Sequence, residues 1–115
     1  MNNKYNLTER LEDFAALVIL IYDKKPLSYA GDYLAKQLIR SSCSSALNYG
    51  EVLGAGTDKD KINKLRICLK ELRESLRNIN IQIKAKLVSE ETIGNLKDEN
   101  DQLIRIIVTR IKNIN

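Results

Sequence analysis

Ile62, Leu65, Leu69, Leu72, Leu76, Ile79 and Ile83 recur at steps of three and four. An aliphatic line with that period, held over three heptads, fits one stripe of an α-helix and no strand. Such a helix is stable only when the stripe is buried, and the usual cover is other helices. The opening supports it: Thr57 suits an N-cap, and Asp58 and Asp60 suit the positive end of the helix dipole.

Three more segments carry the same period. The first runs over about 8–24, with Leu7, Leu11, Phe14, Val18 and Tyr22 as its main face, and Leu17, Leu20 and Ile21 widening it. Lys24 and Lys25 suit its end, and Pro26 breaks the chain. The second covers about 28–53, with a costly Gly31 near its start and Gly54-Ala55-Gly56 as a stop signal. The third, built on the heptads, covers about 58–86. The fourth covers about 90–113 and opens with Ser89, Glu90 and Glu91. Its line is Ile93, Leu96, Asn100, Leu103, Ile107, Ile111 and Ile114, weakened early by Gly94 and Asn100. Short connections favour antiparallel neighbours. The expected fold is all-α, an antiparallel up-down-up-down four-helix bundle forming one domain over 1–115.

Composition narrows the chemistry. The 115 residues include no His, which removes an imidazole base, His-activated nucleophiles and His-ligated metals. Cys43 and Cys68 form no CxxC and read as free thiols of a reducing compartment. The serines at 41, 42, 44 and 45 have no base beside them and read as small residues for close helix packing. Gly54-x-Gly56 lacks the strand and the Gly-Lys-Ser/Thr of a phosphate loop. The apolar run Phe14–Tyr22 is far shorter than the ~20 residues of a membrane span, and the first thirteen residues are polar. The chain reads as cytoplasmic and non-enzymatic, with no cofactor, no metal and no membrane partner. Any enzyme reading would rest on Glu51, Glu71 and Glu74.

Two polar patterns are more specific. On the second helix Gln37, Arg40, Ser44, Asn48 and Glu51 share a flank beside Leu34, Leu38, Ser41, Ser45, Asn48 and Val52, the expected buried strip. Glu71 and Glu74 lie three apart on the third helix, on the flank away from its cations. A network of Gln37, Arg40, Asn48, Glu51, Glu71 and Glu74 would fix helix register. If it is buried, Arg40→Ala costs on the order of 3 kcal/mol or more. Second, Arg66, Lys70, Arg73, Arg77 and Lys84 line one flank of the third helix, a spacing that can track a phosphate backbone. Nine Lys or Arg stand against three Asp or Glu between Lys59 and Lys86, within a net charge of +4. Leu20, Ile39, Cys43, Ile67 and Ile81 lie opposite the main faces and point to a second packing surface, hence a homo-oligomer.

Gln37-Leu38-Ile39-Arg40-Ser41, then Asn48, Glu51 and Gly54, resembles the central motif of a known family. Lys64-Leu65, Leu69-Lys70-Glu71 with Glu74, and Ser89-Glu90-Glu91 through Leu96 continue the likeness over nearly the whole chain. The family comprises small four-helix bundle proteins encoded by intervening sequences of bacterial large-subunit ribosomal RNA genes. The resemblance implies a ring-like homopentamer. Related bundles are accessory proteins of diversity-generating retroelements, in which a basic pentameric barrel binds reverse transcriptase and RNA or DNA. Family members often carry an aromatic residue, commonly Trp, where this chain has Asn78. The leading expectation is therefore a homo-oligomeric bundle that binds nucleic acid through the basic flank. The alternative is a protein-interaction scaffold with no nucleic-acid role.

Overall fold

The computed structural model describes residues 6–23 and 27–114. Four helices succeed one another: α1 (Leu7–Tyr22), α2 (Tyr29–Leu53), α3 (Asp58–Lys84) and α4 (Glu90–Ile114). Lys24, Lys25 and Pro26, read from sequence as the end of the first helix and its break, lie outside the described residues.

Each helix starts at a side-chain cap. Asn6, Ser28, Thr57 and Ser89 accept the backbone N–H of Glu9, Gly31, Asp60 and Thr92, each at 3.1 Å. An N-terminal N–H has no partner inside its own helix, so a short polar side chain supplies one. Asn6 therefore starts α1 one residue before the expected Thr8. Gly31 also has a role: a Cβ there would lie 3.1 Å from the Ser28 hydroxyl oxygen that caps the helix.

The C-termini depart further from expectation. α3 ends at Lys84, two residues early, because Lys86 turns into the left-handed region at φ 60°. Lys86 N–H donates to Ile83 C=O (3.0 Å) and Leu87 N–H to Gln82 C=O (2.9 Å). That pair of bonds is a Schellman closure, normally built on glycine. At the end of α2, by contrast, Gly54 keeps φ at −96°, and Ala55 N–H closes the helix onto Val52 C=O. The glycine stop thus works there without left-handed geometry.

Bonded partners give the helix directions. Glu51 meets Lys64, Ser41 meets Ser75, and Leu34 meets Asn78, so α2 and α3 run in opposite senses. Asn100 Nδ2 donates to Leu72 C=O at 2.9 Å across a short turn, which folds α4 back along α3. Tyr22 reaches Gln82 near the end of α3, while Arg10 reaches Glu99 and Gln102 midway along α4. α1 is 16 residues long against 25 for α4, so it covers only part of its neighbour.

The core is aliphatic where it was expected. Leu11, Phe14 and Val18 of α1, Leu38 of α2, Leu65, Leu72 and Ile79 of α3, and Ile93, Leu96, Leu103 and Ile107 of α4 are all buried. A second buried line accompanies the heptads on α3: Cys68, Glu71, Ser75, Asn78 and Gln82. It faces α2, where Ser41, Ser42 and Ser45 are fully buried. Their hydroxyls return to the carbonyls of Leu38, Ile39 and Ser42, and Ser41 also bonds Ser75 at 2.7 Å. Small side chains with internally satisfied hydroxyls allow two backbones to approach without stranding polar groups.

Candidate nucleic-acid interface

Two neighbouring features of α3 form the site: a clasp to α2 on one side and an open groove against α4 on the other. The clasp centres on Arg40. Its Nη1 donates to Glu71 at 3.1 Å, its Nη2 pairs with Glu74, and its Nε donates to Gln37 at 3.3 Å. One guanidinium thus bridges two carboxylates a turn apart, a geometry that Arg meets better than Lys. Glu71 is buried, while the Arg40 side chain is 48% exposed.

The expected six-residue network is divided. Asn48 turns back on its own helix, donating to Ser44 C=O at 2.8 Å and Ser44 Oγ at 3.0 Å. Glu51 pairs with Lys64 at 3.5 Å, nearer the far end of the seam. Gln37, Arg40, Glu71 and Glu74 meet; Asn48 and Glu51 do not join them. The physical reason is pitch: Arg40 and Glu51 are eleven residues apart, about 16 Å along a helix.

Asn78 belongs to another buried chain. Its Nδ2 donates to Leu34 C=O at 2.9 Å, and its Oδ1 accepts Gln82 Nε2 at 2.7 Å. Gln82 Oε1 in turn accepts the Tyr22 hydroxyl at 2.6 Å. This relay ties α1, α2 and α3 together. Burial raises the Tyr22 phenol pKa, and its bond to Gln82 partly offsets that. In the sequence, Asn78 stands out only as a departure from the family pattern.

The groove of about 750 Å³ lies between α3 and α4. Arg66, Lys70, Arg73 and Arg77 line it from α3 and Lys112 from α4, with Leu69, Val108 and Ile111 among them. All five cations are exposed, and none forms an ion pair among the described residues. Glu74 also lines the groove. This corrects the placement of that carboxylate on the flank away from the cations. It pairs with Arg40, whose single charge is shared with Glu71, and the groove stays cationic because its five cations outnumber that one carboxylate.

Lys84 is not part of the groove; it sits in the last turn of α3, where it complements the helix dipole. Lys112 escapes the sequence reading. The signal that could have found it is its i+4 relation to Val108, but which face of α4 meets α3 depends on packing.

Cys68 is fully buried, and burial pushes its thiol pKa up to about 12, so it is not a thiolate near neutrality. No helix of the described residues is long and apolar enough to cross a membrane.

A family model described as 23S rRNA-intervening sequence protein matches residues 3–109. No curated protein matches the chain. Among solved structures, the chain is similar to a crystal structure from Bacteroides thetaiotaomicron VPI-5482, described as a protein with unknown function from the S23 ribosomal protein family. The TM-score is 0.77 and the identity 22%, over 92% of this chain and 98% of that one. At that identity the likeness concerns the fold.

Proposed function

The chain belongs to the 23S rRNA-intervening sequence protein family, and from that premise we propose that it is a cytoplasmic, non-enzymatic bundle that binds nucleic acid through its α3–α4 groove. The observation that carries the reading is charge without partners: five exposed cations gather in one groove around a single carboxylate, Glu74, which pairs with Arg40 from behind. Unmatched cations are costly to crowd together and favour an anion that spans them. Contacts to phosphate give binding that falls steeply with salt, with a log–log slope of roughly −3 for four or five phosphates on a single strand.

The proposal includes self-association. Leu20 (77%), Leu47 (75%) and Ile81 (51%) are exposed on α1, α2 and α3, and assembly of several copies would multiply a weak contact. A light-scattering mass at the 13.1 kDa of one chain would remove that part. The same exposed apolar residues favour the second reading, a scaffold for a protein partner. Its mark would be one protein retained in pull-downs regardless of nuclease.

The test of the main reading is charge reversal. The R73E/R77E double variant, titrated at low salt with a labelled RNA hairpin bearing both stem and loop, should show no binding. Circular dichroism should remain that of a folded helical bundle, since both side chains are exposed. Unchanged binding would rule the groove out.

A further inference from the structure

A track for phosphates needs only cations. This site is concave, and apart from Glu74, which pairs with Arg40, its lining between the cations is aliphatic: Leu69, Val108 and Ile111. A charge-only site would also favour a duplex, which carries the denser charge and the steeper salt response. An aliphatic floor under a cationic rim instead suits a ligand with apolar faces and regularly spaced negative charges.

Unpaired nucleotides have both. Their base faces are free, whereas in a duplex those faces are stacked on one another. An acidic amphipathic helix is the competing fit, but such a helix reads a long apolar stripe. Here the only apolar side chain that α3 offers to the groove is Leu69, against four cations at steps of four, three and four.

Resting on the reading that this groove binds nucleic acid, we propose that it is specific for unpaired strands. Bases lie on Leu69, Val108 and Ile111, and phosphates meet Arg66, Lys70, Arg73, Arg77 and Lys112. The α3 cations span about 16 Å along the helix, enough for a short run of nucleotides. Among the described residues no aromatic side chain lines the groove, so bases are held by apolar contact without ring stacking, and the site is tolerant of sequence.

The experiment uses the full chain, a labelled oligouridine strand and a blunt duplex of equal length, read by fluorescence anisotropy at low salt. The strand should bind about tenfold more tightly than the duplex. Val108→Asn changes no charge; it should weaken the strand by about three- to tenfold and leave the duplex unmoved. Ile111→Asn serves the same purpose if the first variant melts early.

Equal affinities, or floor variants that move neither ligand while R73E/R77E abolishes both, would overturn the single-strand assignment and leave the cationic groove standing. No binding of either oligonucleotide would remove both. An acidic amphipathic peptide that binds more tightly than the strand and displaces it would overturn the assignment in favour of a protein ligand.

Discussion

At the scale of single residues, two side chains sit in unusual settings. Lys86 adopts φ 60° to close α3, a conformation that costs an L-residue roughly 1–2 kcal/mol and glycine little. Lys86→Gly should therefore stabilise the fold by about 0.5–1 kcal/mol, allowing for glycine's looser unfolded chain; urea denaturation reads it directly. Cys68 is the second. Its folded pKa of about 12 lies above the unfolded thiol value. The native state then holds its proton longer than the unfolded state, so the contribution is intact below about pH 8.5 and is lost as pH rises towards 12. Stability should fall over that window by up to about 1.4 kcal/mol per pH unit from this group, and Cys68→Ala should remove that part of the loss. Sequence alone shows Cys68 as a thiol without a partner; its inertness comes from the helices packed around it.

At the scale of elements, local signals are legible and register is not. The caps Thr57 and Ser89 can be read directly, because a cap bonds a backbone group three residues away. The heptads of α3 are equally plain. Its second buried line, from Cys68 to Gln82, has the same period but is hidden because polar residues read as solvent-facing until a partner helix is placed. Arg40 carries the energetic consequence of that hidden register. Full burial would make its truncation cost about 3 kcal/mol or more. With the guanidinium half exposed and only Glu71 buried, Arg40→Ala should cost about 2 kcal/mol, between the buried and surface cases. Glu71→Gln in the same background should recover part of it, because the stranded charge is gone. A double-mutant cycle monitored by chemical denaturation measures that coupling.

At the scale of the whole molecule, an uneven charge becomes a place. The excess of cations between Lys59 and Lys86 is visible in the chain, but not that four of them share a concavity with Val108, Ile111 and Lys112 of α4. Nor can the sequence show that Glu74, seated among those cations, is answered from α2 by Arg40. Both depend on how α3 is rotated between its neighbours, which the buried line facing α2 settles. The central claim is that this groove is where nucleic acid binds. It is met most directly by titrating isotope-labelled protein with an unpaired oligonucleotide and tracking backbone amide shifts residue by residue. Shifts concentrated in Arg66–Arg77 and Val108–Lys112, fading as salt is raised, are the predicted result. Shifts centred on α1 or the outer face of α2, or none at low salt, would contradict it.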